Sequence, residues 1–283
     1  MAKEIKGNKM KLDLHLHTNC SDGVIEPYDL VKKTKEVGLD IIAICDHDCI
    51  DANIEAQEYA DQFGVRILKG VEFTSYIDDV EIHILGYYKN YNQEVKDFAK
   101  IIQDYRLSRI KDIISTLPAK GVDITEEKFF TEFNKSKSFS RGHLVFYLLN
   151  HNYGKTPGEV FHKYLSDTSP SIPITPIDVV NKIKASGGIA IWAHPIWEDI
   201  EEYFDYMYNE AGIEGIEAYN GRRGISDEVI SKMLKIADDK NLLVTAGSDW
   251  HGFTKGYNFG DFYKTEKELQ NFLEKMEILY DNK

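Results

Sequence analysis

The chain contains 283 residues, of which 42% are hydrophobic and 29% are charged, and its formal net charge is -13. This length and hydrophobic content allow a large buried core, in one domain or one domain with a small companion, and exclude a disordered tail or a fibre. The acidic excess argues against a long nucleic-acid-binding surface, because such surfaces neutralise phosphates with clustered Lys and Arg. A small anionic ligand is compatible with this charge where local cations outweigh the global field.

Cysteine usage and hydropathy indicate the compartment. Cys20, Cys45 and Cys49 form neither an even disulfide framework nor a Cys-x-x-Cys metal motif. Residues 1–11 lack an apolar core of signal-peptide length, and no stretch reaches the roughly 20 apolar residues that span a bilayer. We therefore expect a cytoplasmic protein without a membrane partner.

Short apolar runs alternate with helix-like segments over the first ninety residues, which predicts strand and helix units around a mainly parallel sheet. In chain order, the predicted elements are strand 10–17, helix 27–37 ended by Gly38, strand 39–45, helix 51–63 ended by Gly64, and strands near 65–73 and 80–88.

The pattern changes between residues 95 and 171, where apolar side chains such as Ile102, Ile110 and Ile113 recur at amphipathic helical spacing. We predict a helical insertion there, acting as a lid or substrate-recognition domain and ending at the proline-rich stretch 169–176. A helix at 178–185 and strands at 188–193, 215–218 and 242–246 then resume the alternation. Residues 1–94 and 172–283 are therefore expected to form one α/β domain.

Metal-ligand side chains flank the first and last of these strands. His15 and His17 lie two residues apart at the end of the first strand, and Asp249 and His251 lie two apart after the last. Residues two apart on an extended strand project to the same face, so each pair can point at one ion. Further candidates lie at or near the ends of intervening strands, which meet at one mouth in a parallel barrel. These candidates are His47, Glu72, His83 and His194.

Nitrogen and carboxylate ligands without thiolate suit Zn, Mn or Fe and leave coordination positions open for water or substrate. The pattern therefore favours metal-assisted hydrolysis. His83 alone would be interpreted as a core residue, but its place among the other candidates favours a ligand.

Other polar residues have simpler interpretations. His151 and His162 lie in the insertion without matching partners, and we expect surface or packing roles for them. Cys45 and Cys49 are expected to be small buried residues. Asp48, just before the second helix, is interpreted as a helix cap in preference to a functional residue.

The combined motifs resemble the PHP (polymerase and histidinol phosphatase) family. The resemblance covers nearly all of the chain outside the insertion, and it implies a distorted (β/α)7 TIM-like barrel with a trinuclear metal centre. One departure is Cys45, where relatives often carry Thr, next to a ligand position. The matching motifs are His15-Leu16-His17-Thr18 with Ser21-Asp22-Gly23, Asp46-His47-Asp48, Gly70-Val71-Glu72, His83 before Leu85-Gly86-Tyr87, Ala193-His194-Pro195, and Gly247-Ser248-Asp249-Trp250-His251.

Carried over to this chain, the resemblance implies three divalent ions of Mn, Fe or Zn. A hydroxide on the metals would attack phosphorus in line. The implied ligands are His15, His17, Glu72 and Asp249 for the first ion, Glu72, His83 and His194 for the second, and Asp22, His47 and His251 for the third.

Within the family, an insertion bearing Ser140-Arg141-Gly142-His143-Leu144 looks most similar to small phosphoesterases acting on nucleoside 3′,5′-bisphosphates and short 5′-phosphorylated oligonucleotides. Arg141 and His143 are the candidate phosphate contacts, with a solvent-exposed helix start as the alternative. Arg222 and Arg223 are weaker candidates. A coordinated water or His143 would donate the leaving-group proton.

Two other functions stay open from the sequence. A histidinol-phosphate phosphatase would use the same metals on a smaller substrate, and a non-catalytic metal-stabilised module would bind a partner. The expected partner is a small phosphorylated substrate, and the oligomeric state is not predicted.

Overall fold

The computed structural model describes residues 9–166, 172–221, 225–252 and 258–278. Within these residues, eight strands form one sheet in the order β7-β6-β5-β4-β3-β2-β1-β8. Neighbouring strands pair in parallel from β1 to β3 and from β5 to β7. The strands are β1 (Lys11–Leu16), β2 (Ile41–Ile44), β3 (Arg66–Ile77), β4 (Val80–Tyr88), β5 (Ile189–Trp192), β6 (Gly215–Asn220), β7 (Leu243–Gly247) and β8 (Lys264–Thr265).

The sheet curls into a nearly closed barrel because the chain after β7 returns to β1. Leu16 forms a parallel bridge with Trp250. The His17 amide donates to the Trp250 carbonyl at 3.1 Å, and the Asp249 amide donates to the His15 carbonyl at 2.9 Å. Gly247 permits the close approach, since a Cβ at this position would overlap the His15 side chain. The predicted α/β barrel is confirmed, with helices surrounding it.

Amphipathic helices cover the barrel. Gly38 and Gly64 end the first two helices in the left-handed conformation, at φ 76° and 63°, as predicted. No helix among the described residues has both the length and the apolarity needed to cross a bilayer. The helices are α1 (Pro27–Val37), α2 (Asp51–Phe63), α3 (Gln93–Thr116), α4 (Glu126–Glu132), α5 (Arg141–Asn150), α6 (Pro157–Val160), α7 (Pro176–Ala185), α8 (Trp197–Asp205), α9 (Asp227–Lys240) and α10 (Gln270–Lys275).

Helix α3 joins two hydrophobic cores. Its first half contributes Val95 and Ile102 to the main barrel core. Its second half contributes Ile110 and Ile113 to a separate core with α4, α5 and α6. The predicted insertion therefore has a hydrophobic core of its own, and the change from one core to the other occurs within α3.

Two strands depart from the predicted parallel arrangement, and one of them, β8, pairs antiparallel with β1. β4 runs antiparallel to both β3 and β5. Because β3 and β4 form a hairpin, Thr74 near the end of β3 pairs with His83 in the first half of β4. His83 therefore reaches the barrel mouth from the first half of its strand. Glu72 reaches it from the middle of β3, because this strand continues to Ile77, beyond the predicted end at residue 73. The other candidates lie at or after the ends of their strands.

The prediction that Asp48 caps the second helix is wrong. Helix α2 begins at Asp51, and its N-cap residue, Ile50, makes no side-chain cap. Asp48 has φ 49°, so the chain turns there before the helix starts. Its buried carboxylate accepts hydrogen bonds from the Thr74 amide at 2.9 Å and from Arg106 Nε at 2.5 Å. Asp48 therefore ties the barrel to α3.

Candidate metal centre

The polar face of β1 points into the barrel mouth. His15 and His17 are fully buried. Leu16, on the opposite face, packs in a core with Leu30 of α1 and Ala52 of α2. Leu16 thus lies under the helices, while the two histidines lie inside the barrel. Leu12 and Leu14 pack instead in the main barrel core, and the pairing of β1 with β2 shifts register between Asp13 and Leu16.

The first group of ligand atoms is centred on Glu72, which is fully buried at 0% exposure. Glu72 Oε2 lies 3.2 Å from His15 Nε2 and 3.2 Å from His17 Nε2. Asp249 Oδ1 lies 3.1 Å from His17 Nε2. One ligand atom from each of these four residues falls within 4.8 Å of the others, a spacing that could hold one ion.

Two further groups adjoin the first. The second group consists of His47, Glu72 and His83. Glu72 Oε2 lies 3.1 Å from His47 Nδ1, and Glu72 Oε1 lies 3.0 Å from His83 Nδ1. His194 Nε2 is also 2.8 Å from Glu72 Oε1. In the third group, Asp22 Oδ1 lies 3.2 Å from His251 Nε2. The third group consists of His17, Asp22, His47 and His251.

Buried atoms without hydrogen bonds indicate that these groups suit cations. Glu72 Oε2, Asp22 Oδ1 and His47 Nδ1 are buried and form no hydrogen bond among the described residues. An unsatisfied buried polar atom is costly, and here each one faces further ligand atoms at about metal-cluster spacing. Divalent ions would satisfy all three atoms at once, so the residues fit the implied metals.

The structure brings all nine predicted ligands into one cluster. The first group contains the same four residues as the first implied ion, and the third contains the third implied set with His17 added. The second group has His47 where the resemblance implied His194, although His194 also contacts Glu72. His194 and Asp249 adopt φ 34° and 53°, a sparsely populated region that occurs at functional sites.

Two carboxylates that orient ligands were missed from the sequence. Glu217, fully buried on β6, lies 3.1 Å from His15 Nδ1 and accepts the His194 amide at 2.9 Å. Glu81 lies 3.1 Å from His83 Nε2. A carboxylate behind a ligating imidazole fixes its ring orientation and tautomer. The only sequence signal was an acidic residue between two apolar neighbours in each strand.

The carboxylates and imidazoles shift one another's pKa values. Burial alone would lower the pKa of His17, but the adjacent carboxylates of Asp249 and Glu72 raise it to about 10. Burial is likewise outweighed at His83, where Glu72 and Glu81 raise the pKa to about 9. Without metal, both imidazoles therefore carry protons at neutral pH.

We expect Mn²⁺ binding to release about three protons per chain at pH 7.5, one each from His15, His17 and His83, because histidine must be deprotonated to bind a metal. In metal-free protein, the charge on His17 stabilises the fold fully below pH 6.5, and this contribution is lost as pH rises to about 10. Metal affinity should therefore increase with pH over that interval. Calorimetry in buffers of different ionisation enthalpy measures the number of protons released. A Mn²⁺ affinity that does not change with pH would contradict the predicted release.

The predicted phosphate contacts lie in different environments. Arg141, at the start of α5, borders a cavity of about 190 Å³ that also reaches Asp22 and His47. His143 is 2% exposed; its Nδ1 accepts the Ser140 amide at 3.0 Å, and its Nε2 lies 2.8 Å from the Ser21 carbonyl. Its phosphate contact stays a prediction, with both nitrogens engaged by protein atoms. Arg222 and Arg223 lie outside the described residues.

The predictions for His151, His162, Cys45 and Cys49 agree with the structure. His151 is exposed and pairs with Glu132 at 3.0 Å, and His162 is exposed. Cys45 and Cys49 are buried free thiols outside the three ligand groups.

Comparison with known proteins gives consistent matches. The PHP domain family model matches residues 13–214. A 3′,5′-nucleoside bisphosphate phosphatase of Chromobacterium violaceum is 27% identical over 87% of this chain and 88% of its own. A 5′-3′ exoribonuclease of Haemophilus influenzae is 29% identical over 66% of this chain and 69% of its own. A solved structure from Bifidobacterium adolescentis, named as a metal-dependent phosphoesterase, has a TM-score of 0.81 and 28% identity, covering 93% of this chain and 95% of that one.

Proposed function

This chain belongs to the PHP domain family and is a metal-dependent phosphoesterase, and from that premise we propose that it removes the 3′-phosphate of nucleoside 3′,5′-bisphosphates. Short 5′-phosphorylated oligonucleotides are proposed as further substrates, since the relatives include an exoribonuclease. We propose three divalent ions of Mn, Fe or Zn, held by His15, His17, Asp22, His47, Glu72, His83, His194, Asp249 and His251.

The observation that supports this substrate class is the arginine-lined cavity beside the ligand cluster. Asp22 and His47 form one side of the cavity, and Arg106, Arg109 and Arg141 line it from the insertion. A phosphate ester held at the metal groups would therefore extend toward guanidinium groups, which bind phosphate in a planar two-point fashion.

The charge balance of the cavity favours one additional phosphate. Arg106 is paired with Asp48, and Arg109 and Arg141 share Glu81, so the arginine side of the cavity carries three arginines against two carboxylates. The remaining carboxylate of the lining, Asp22, belongs to the proposed metal site, where a divalent ion would neutralise it. A substrate with a second phosphate fits this cavity better than a substrate with only the phosphate to be cleaved.

Arg141 is the arginine best placed to bind the second phosphate. Its Nη2 donates to Glu81 Oε2 at 2.9 Å, and its guanidinium lies 5.3 Å from the Phe161 ring centroid. The side chain is 29% exposed, whereas that of Arg106 is 5% exposed. Arg141 can therefore exchange Glu81 for a substrate 5′-phosphate while Arg106 holds α3 in place.

Bound divalent ions would lower the pKa of a coordinated water and neutralise charge on the phosphate. The protein's own contribution is orientation: Glu217 holds His15, Glu81 holds His83, and burial excludes water behind both rings. His143 is a poor proton donor, because the Ser140 amide donates to Nδ1 and leaves the Nε2 proton facing the Ser21 carbonyl. We propose a coordinated water as the donor to the leaving group.

Replacing Arg141 by Ala should raise KM for a nucleoside 3′,5′-bisphosphate by about 10- to 100-fold, the loss expected for one charge-assisted hydrogen-bonded pair. The effect on a nucleoside 3′-monophosphate should be much smaller, since it lacks the 5′-phosphate. Steady-state phosphate release by the wild-type enzyme and by Arg141→Ala, measured on both substrates, gives this difference.

The matched control is Lys111→Ala, which removes a positive charge from the insertion at an exposed pair with Glu126. It should leave both KM values unchanged. A preference of the wild-type enzyme for histidinol phosphate, or for a 3′-monophosphate over the bisphosphate, would refute the proposed substrate.

A further inference from the structure

The loop that carries Asp22 is held by the insertion. We define the Asp22 loop as residues 19–22 and the insertion clamp as residues 136–143, which includes the start of α5. Main-chain and side-chain hydrogen bonds connect the two segments at every residue before Asp22. They are Ser136 Oγ to the Asn19 carbonyl (3.3 Å) and the Ser21 carbonyl (3.2 Å), the Lys137 and Ser138 amides to the Cys20 carbonyl (2.8 and 3.2 Å), and His143 Nε2 to the Ser21 carbonyl (2.8 Å).

The hydroxyl of Ser140 contacts the Asp22 carboxylate itself. Ser140 is the N-cap of α5, and its Oγ accepts the Gly142 amide at 3.0 Å. The same hydroxyl donates to Asp22 Oδ2 at 2.5 Å. The other oxygen, Asp22 Oδ1, points to His251 Nε2 at 3.2 Å and forms no hydrogen bond among the described residues. Ser140 thus fixes one carboxylate oxygen and leaves the second facing the imidazoles.

Space around this contact is restricted on the insertion side. A Cβ at Gly142 would lie 2.9 Å from both Asp22 Oδ2 and Ser140 Oγ, which is closer than carbon and oxygen can approach. Any larger residue at position 142 would push the carboxylate away. The absence of a side chain at Gly142 therefore allows the first turn of α5 to lie against Asp22.

From these contacts we propose that the insertion completes the metal site formed by Asp22, His47 and His251, with Ser140 as the positioning residue for Asp22. This rests on the proposed third ion. A ligand held by a neighbouring hydrogen bond binds metal more tightly, because its orientation is already fixed. Binding of an ion at this site and docking of the insertion are therefore linked, and each stabilises the other.

The test is a titration of the full-length, metal-stripped protein with Mn²⁺ alone. Calorimetry measures the binding, and the metal content after dialysis gives the number of ions retained. Ser140→Gly removes the hydroxyl but preserves helix capping far better than Ser140→Ala. Both variants should weaken one metal-binding event by about 10- to 100-fold and leave the tighter binding events unchanged. Ser140→Thr retains the hydroxyl and should bind like the wild type.

A matched control separates metal positioning from helix stability. Thr125 caps α4 in the same insertion by accepting the Lys128 amide, and it belongs to none of the ligand groups. Thr125→Ala should not change Mn²⁺ binding. Wild-type binding by Ser140→Gly, an equal loss in Thr125→Ala, or the lack of a third binding event in the wild type would each overturn the proposal. Because no substrate is present, failure of the proposed bisphosphatase activity would be seen separately, in the phosphate-release assay.

Discussion

Replacing Glu72 by Gln should lower kcat/KM for any phosphoester substrate by about 1,000-fold or more, because this carboxylate is shared by two of the three ligand groups. The substitution preserves shape but removes the negative charge. It also directs an amide N–H toward imidazole nitrogens that lie 2.8 to 3.2 Å from the carboxylate oxygens. Metal content and phosphate release, measured on the same preparation, should fall together.

The matched control for Glu72 is Glu214→Gln. Glu214 lies beside β6 and accepts the Ala190 amide at 3.1 Å, outside the ligand groups. This variant should retain its metals and its turnover. If Glu72→Gln kept wild-type metal content and activity while Glu214→Gln did not, the assignment of Glu72 as the bridging ligand would be wrong.

Replacing Arg106 by Met should reduce the free energy of unfolding by about 3–5 kcal/mol, the cost of leaving one charge of a buried pair uncompensated. Arg106 Nε lies 2.5 Å from Asp48 Oδ2, and their side chains are 5% and 0% exposed. Arg106 also donates to the Phe139 carbonyl of the insertion at 3.2 Å. Urea unfolding measured by far-UV circular dichroism gives the change.

Two further variants identify the cause of this loss. The double variant Arg106→Met with Asp48→Asn should be less destabilised than the sum of the single variants, because no buried charge stays unpaired. Lys100→Ala, which breaks an exposed pair with Asp104 on the same helix, should have little effect. A loss as large in Lys100→Ala would contradict a role for burial.

The sequence predicted those features of the fold that depend only on residues close together in the chain. Alternation over residues 11–17 indicated a strand with His15 and His17 on one face, and both rings lie inside the barrel. Glycines after apolar helical repeats marked the ends of α1 and α2. Such features follow from side-chain period and backbone freedom, which short segments already express.

The cap assignment of Asp48 failed for a reason that local patterns cannot reveal. Its partners are Thr74 and Arg106, which are 26 and 58 residues away in the chain. An aspartate near a helix start has the same local sequence whether it caps the helix or pairs with a distant arginine. The tertiary structure distinguishes the two, because the buried Asp48 carboxylate needs the positive charge of Arg106 as its partner.

The sequence by itself determined the α/β class and eight candidate ligands at or near strand ends, because strand period and strand order follow from local hydrophobic patterns. The family resemblance added the barrel and the ninth candidate, Asp22. The tertiary structure decided how these ligands are grouped and which residues orient them. Glu217 contacts His15 across 202 residues, and Ser140 contacts Asp22 across 118. The first contact joins β1 to β6, and the second forms where the insertion packs on the barrel. Their formation depends on burial and close packing of distant segments, which no local period encodes.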